Sequence, residues 1–283
     1  LRREDQLPGT PTIAPGFSRR TRTRSLERKG KGWPARLGFP RLKPGAIGTW
    51  CATVPLLFVI ACTPAPPPTP VLWAWERPED LRFLAPGEAE VAVLVGTLRL
   101  DGPRVDTHPR SVPLHVEPKI PVTAVVRIEA QPTASRDAAQ RELAADWIVE
   151  LADRPAFAGL QLDFDARASE RDFYRSLLTE LRPRFKKMAI TALASWCFES
   201  GDWLASLPVD EITPMLFRMG PGGGAYLDQL DRDGEFPNPL CRQSVGVSTD
   251  EPLRWRPRAP RLYVFHPRPW TSADWRAFQS SLR

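Results

Sequence analysis

Gly159-Leu160-Gln161-Leu162-Asp163-Phe164-Asp165 reads as one strand with two unlike faces. Successive side chains of a strand point to opposite sides, so Leu160, Leu162 and Phe164 share one face and Gln161, Asp163 and Asp165 the other. In a closed parallel barrel the apolar set packs outward under helices and the polar set points into the lumen. The two aspartates then stand at the C-terminal end of the strand, where barrel enzymes carry their active sites. Two carboxylates one step apart on one face repel each other, which raises the pKa of at least one. A carboxyl group kept protonated near neutral pH serves as a general acid. The plainer alternative is that the pair ends a strand or binds an Arg from its neighbour.

From Val71 onward, short apolar runs alternate with helix-like segments on both sides of this stretch. Short apolar runs at 71–75, 91–100, 122–129, 159–165, 188–196, 212–218, 244–249 and 262–266 read as eight strands. Helical stretches at 138–152, 170–181 and 272–282 lie between or after them, with Ser272 as the expected N-cap. Strand–helix alternation over one chain implies a parallel α/β architecture, and eight strands favour a (β/α)8 TIM-type barrel over an open doubly wound sheet. After the second strand, Asp101-Gly102 signals a turn and Arg104 onward alternates with Pro interruptions, so a hairpin insertion is expected there. No phosphate-cradling glycine motif follows any strand. Gly220-Pro221-Gly222-Gly223-Gly224 lacks the Lys and spacing of a nucleotide site, and no cofactor is expected.

The N-terminal quarter reads differently. Residues 1–45 are rich in Arg, Pro, Gly and Ser without apolar periodicity, and no Met precedes Met188. They read as a disordered basic extension, or as sequence upstream of the true start. Residues 46–62 follow Arg36, Arg41 and Lys43 and end in Val59-Ile60-Ala61-Cys62. Basic residues, a short apolar core and small residues at the end make an export signal. The ending resembles a bacterial lipobox, which implies lipidation at Cys62 and a lipid anchor on the periplasmic face of a membrane. A buried helix or a single membrane anchor is the competing reading. The Pro-rich residues 63–70 read as a stiff tether, and 71–283 as the barrel domain.

The net charge of +6 resides mainly in the basic extension. No aromatic–basic platform accompanies it, so nucleic acid is not an expected partner. Cys197 and Cys241 are the remaining cysteines of the barrel domain, and an oxidising compartment would permit a disulfide that spacing alone does not decide. The scattered His108, His115 and His266 show no ligand spacing, so no metal is expected.

Other strand ends supply candidates for the same mouth. Arg127 and Glu129 share a face of the third strand, and Glu129 joins Asp163 and Asp165 as a catalytic candidate. An adjacent Arg lowers an aspartate pKa and an adjacent Glu raises it; Arg127 paired structurally with Asp163 is the alternative. Asp250 and Glu251 follow the seventh strand and are placed across the mouth. Trp73, Trp75 and Trp196, with Met215 and Arg218, complete the expected substrate-binding set, because flat rings at strand ends suit the apolar faces of sugars.

The strand at 159–165 resembles the fourth-strand motif of chitinase-type (family 18) glycoside hydrolases, Asp-Gly-x-Asp-x-Asp-x-Glu. Aligned on Gly159, Gln161 takes the place of the second Asp, Asp163 of the third and Asp165 of the acid Glu. Val209 to Arg218 resembles the family's stretch ending in Met-x-Tyr-Asp, with Met215 retained and Phe217 and Arg218 in place of Tyr and Asp. The resemblance implies a related barrel, while those departures remove groups that chitin cleavage uses. From Val71 to Trp270 the chain more closely resembles the bacterial domain-of-unknown-function family 3142. Leu72-Trp73-Ala74-Trp75-Glu76-Arg77, Gln161 to Ala166, Ile190 to Cys197 and Pro214 to Gly220 carry that resemblance, which implies a barrel and assigns no activity.

The expected function is a carbohydrate-active barrel of glycosidase type, with Asp165 as acid and Asp163 as its electrostatic partner. A catalytically silent barrel that binds envelope glycan or protein through the same mouth is the second reading. A hydrolase of another class is a third, and no nucleophile motif supports it.

Overall fold

The computed structural model describes residues 67–282 except 200, 202 and 252–257. The basic extension, the export segment and Cys62 lie outside the described residues. In chain order the elements are β1 (Thr69–Ala74), β2 (Glu79–Asp80), β3 (Glu90–Asp101), β4 (Arg104–Pro109), β5 (Leu114–His115), β6 (Val122–Ala130), α1 (Ala138–Ala152), β7 (Leu160–Asp163), α2 (Arg171–Leu181), β8 (Met188–Leu193), β9 (Glu211–Met215), α3 (Gly223–Asp233), β10 (Ser244–Ser248), β11 (Arg261–Phe265) and α4 (Ser272–Ser281).

Eight strands pair in parallel in the order β1-β3-β6-β7-β8-β9-β10-β11, and β1 also pairs with β11, closing the barrel. All eight coincide with the runs marked by alternation, and the fold is a TIM-type α/β barrel. The first strand starts at Thr69, so Thr69 and Pro70 belong to the sheet rather than to the tether. β4 folds back antiparallel on β3 from Asp101–Arg104 to Gly96–Pro109, which is the hairpin expected after the second strand. Gln140 of α1, fully buried, donates from its amide to Gly102 O (2.9 Å) and Arg104 O (2.8 Å), fastening the hairpin turn to the helix.

The helical shell is partial. Among the described residues, α-helices follow β6, β7, β9 and β11, while 3-10 turns at Ala194–Cys197 and Leu204–Ser206 connect β8 to β9. α4 starts one residue after its cap: Thr271 Oγ1, not Ser272, accepts from Asp274 N–H (3.1 Å). Cys197 and Cys241 form a disulfide with Cα atoms 6.0 Å apart, tying the turn after β8 to the turn before β10.

Alternation divides the core in two. Outward residues such as Leu72, Val93, Val126, Leu162 and Ile190 join the buried faces of the helices in one outer cluster. Inside, Val71, Trp73, Ala92, Leu94, Val125 and Tyr263 form a separate cluster. Arg261 plugs the N-terminal end, with Nη2 2.8 Å from Glu90 and Nε 3.3 Å from Glu211, and its guanidinium lies over the Tyr263 ring. Higher up, the Trp73 indole N–H donates to Gln161 Oε1 (2.9 Å), the Gln161 amide reaches Thr213 Oγ1 (3.5 Å), and Thr213 meets Ser244 (3.0 Å). Gln161 is fully buried, so its amide matches neutral partners without placing a charge in the barrel.

Trp73 has room because β10 carries Gly246 opposite it: a Cβ there would come within 2.7 Å of the indole ring. Gly246→Ala is therefore expected to push the indole off Gln161 and to destabilise the protein by about 1–3 kcal/mol. Urea unfolding and Trp near-ultraviolet dichroism measure this, and a variant with an unchanged midpoint and spectrum would show that the indole is loosely held.

Candidate functional site at the barrel mouth

The site begins with the register of β7. Leu160, Leu162 and Phe164 are buried outward, and Phe164 meets Tyr174 of α2 edge-on at 5.1 Å. Anchoring this face commits Gln161, Asp163 and Asp165 to the lumen. Gln161 forms part of the barrel's interior, Asp163 ends the strand, and Asp165 stands two residues above it, exposed. On one side Arg127 of β6 is the register partner of Asp163. On the other, Thr191 of β8 donates its hydroxyl to Asp163 Oδ1 at 2.7 Å.

Asp163, Asp165, Arg127 and Thr191 line one wall of a cavity of about 240 Å³. Trp73 forms its floor, and Trp75, Met215, Phe217, Arg218 and Phe265 line the remainder. Phe217 and Phe265 are stacked at 5.7 Å, and Trp75 meets Phe265 edge-on at 6.5 Å. Two further hollows share lining residues with it, and a third meets only the first of those two, at Glu129. One of about 160 Å³ brings together all three expected catalytic carboxylates, Glu129, Asp163 and Asp165. Another, of about 260 Å³, runs from Asp165 and Arg218 toward Tyr226 of α3. The third, of about 340 Å³, lies between Glu129 and the end of the hairpin.

Electrostatics follow from this placement. Loss of water raises the Asp163 pKa to about 6; the Thr191 hydrogen bond opposes the rise, the charge of Asp165 adds to it, and Arg127 offsets part of it. Partial loss of water at the cavity wall also raises the Asp165 pKa, again opposed by Arg127. Asp163 is therefore held close to the neutral range beside a second carboxyl that is also raised, an arrangement suited to acid–base chemistry on a ligand in the cavity. Arg127 forms its ion pair with Glu129 (3.2 Å), the residue two positions along its own strand, rather than with Asp163.

Other expected site residues are used differently. Trp196 is not at the mouth: β8 ends at Leu193 and the following 3-10 turn carries Trp196 into the outer core, edge-on to Trp203 at 4.9 Å. Glu251 accepts the backbone N–H of Arg218 (2.9 Å), holding a residue whose φ is +53°. Asp250 takes a hydrogen bond from Ser248, which with nearby Arg218 keeps its pKa below the usual carboxylate range. Its carboxylate lies 3.9 Å from the Arg218 guanidinium, so both acids brace the rim instead of reaching Asp163. Thr191 is the functional residue missed in the sequence. Its signal was present, because Ile190 and Ala192 face outward and leave Ala189, Thr191 and Leu193 inward.

Among the described residues, no group of three or more His, Cys, Asp or Glu is placed to hold a metal ion, and no helix is long and apolar enough to cross a membrane. Fold and site define a TIM-type barrel with an acidic, aromatic-walled mouth. No family model, curated protein or solved structure matches the chain.

Proposed function

We propose that the barrel acts on carbohydrate at its C-terminal mouth, with Asp165 delivering a proton to the glycosidic oxygen and Asp163 holding the coupled charge beneath it. The carrying observation is the half-buried Asp163, its pKa raised to about 6, beside an exposed Asp165 in a cavity walled by Trp75, Phe217 and Phe265. Two neighbouring carboxyls with raised pKa values are what glycoside cleavage asks of its acid, and flat apolar rings suit sugar faces. The same reading takes the chain as a member of the 3142 family and a distant relative of the chitinase-type barrels, on the segments quoted above.

The wild-type protein and Asp165→Asn are to be compared on a panel of envelope and plant glycans. The expected result is turnover by the wild type, lost by a factor of about 10²–10⁴ in the variant, with binding retained. Binding without turnover by either protein supports the catalytically silent glycan-binding barrel. Absence of both removes the carbohydrate reading and leaves a protein-binding mouth.

The proposal includes export and anchoring to the periplasmic face of a membrane through Cys62. The buried Cys197–Cys241 disulfide supports an oxidising compartment. Mass spectrometry of the protein isolated from membranes is expected to find acylated Cys62 at the mature N-terminus. A soluble protein with residues 46–62 still attached would contradict this.

A further inference from the structure

We infer that the saccharide bound at the mouth carries an anionic group, and that Arg218 is the residue that reads it. This rests on the carbohydrate reading above. Arg218 lines both the 240 Å³ cavity and the adjoining 260 Å³ hollow, across from Asp165. Its guanidinium lies 4.9 Å from the centre of the Phe265 ring, so one flat face is covered by an aromatic wall. Its donors are not committed. Among the described residues the guanidinium makes no hydrogen bond, its nearest carboxylate is Asp250 at 3.9 Å, and its side chain is 58% exposed.

The neighbouring cations contrast with it. Arg127 is paired with Glu129 at 3.2 Å, Arg77 donates to Glu79 at 2.9 Å, and Arg110 donates to the backbone carbonyls of Trp75, Arg77 and Val112. Each of these arginines has a carboxylate or carbonyl oxygen within 3.2 Å of its guanidinium, whereas Arg218 does not.

Arg218 is also held at a cost. A side-chain-bearing residue at φ +53° is strained, and the Glu251 carboxylate secures that conformation through the backbone N–H. The strain places a guanidinium, backed by a ring, at the edge of an open cavity. A planar fork of donors stacked on an aromatic face suits a carboxylate or sulfate, which it grips with two parallel hydrogen bonds. The negative charge that the Asp163–Asp165 pair carries repels an anion placed beside it, so the charged substituent is directed to the Arg218 end, with the sugar ring over Phe217 and Phe265.

The test is equilibrium binding by the full chain of three hexasaccharides: an oligogalacturonate with carboxylates only, a chondroitin sulfate with both anions, and neutral cellohexaose. The wild type is expected to bind at least one anionic hexamer about tenfold more tightly than the neutral one, with the preference shrinking in high salt. Arg218→Gln is expected to lower that preference about tenfold, and Arg218→Lys to restore part of it. Binding of the oligogalacturonate assigns a carboxylate; binding of the chondroitin sulfate alone assigns a sulfate. Neutral and anionic hexamers bound equally by the wild type, or a preference unchanged in Arg218→Gln, would overturn the inference and leave the carbohydrate reading standing. No binding of any hexamer overturns both. If Arg218→Gln does not fold, the wild-type comparison still decides whether the saccharide is anionic, and Arg218→Lys, with a preference equal to that of the wild type, would overturn the role of its guanidinium.

Discussion

Replacing Asp163 with Asn is expected to make the protein more stable above pH 6 and to remove the proposed glycoside turnover. The sign follows from linkage. A carboxyl group whose pKa rises from 3.8 unfolded to about 6 folded binds more protons in the folded state between those values. Stability therefore falls as pH rises from about 4 to 6, and the full penalty of the ionised group persists at neutral pH. The shift corresponds to an upper bound of about 3 kcal/mol. Asp163 is only half-buried, so screening reduces the expected gain to about 1–2 kcal/mol.

Asn keeps the shape of Asp, and its carbonyl can accept the Thr191 hydroxyl as Asp163 Oδ1 does at 2.7 Å. It carries no charge to couple with Asp165, so loss of acid–base function by a factor of about 10²–10⁴ is expected. Urea unfolding of both proteins at pH 4 and pH 8, alongside turnover, checks the pair of effects. Equal stability at both pH values would remove the desolvation argument. Greater stability with lost function is the pattern of a site kept at the expense of the fold.

The second large effect concerns the disulfide. Cys197 and Cys241 are 44 residues apart in sequence and both fully buried. Closing a loop of that length removes unfolded-state entropy worth about 4 kcal/mol. For a domain of roughly 200 residues that corresponds to a fall of about 8–16 °C in Tm for the double variant Cys197→Ala/Cys241→Ala. The bond braces the turns after β8 and before β10, on the flank that carries Trp196 and α3. Scanning calorimetry with and without reductant gives the answer directly. If reductant leaves the wild-type transition in place, the link contributes nothing to the fold.

The eight strands were legible as short apolar runs set between turn and helix signals, because most are apolar on both faces, with Val71, Trp73, Leu94, Val125 and Tyr263 packed inside the barrel; only β7 shows a clear polar lumen face. Helices α1, α2 and α4 were legible from their bounds. Helix α3 was not, since it begins at Gly223 with Gly222 as N-cap, and a run of poor helix formers hides the start that packing imposes. The lumen placement of Asp163 and Asp165 could be derived from Leu160, Leu162 and Phe164. The destination of Trp196 could not, because the chain leaves the strand after Leu193 and folds into a 3-10 turn that no periodicity marks.

Contacts across the barrel were equally hidden. Trp73 and Gln161 are 88 residues apart, and only closure of the sheet shows why Gln161 is an amide. The roles of Asp250 and Glu251 depend on the left-handed backbone of Arg218, a feature of one dihedral angle. For the residues that brace the site, partners matter more than types.

The most direct measurement of the central claim is a carbon-13 NMR titration of the aspartate carboxyls in the wild type and in Asp165→Asn. Asp163 is expected to titrate near pH 6 in the wild type and at a lower pH once the neighbouring charge is gone. An Asp163 that titrates near its ordinary value, and does not respond to the substitution, would contradict the claim that the mouth holds a coupled acid pair.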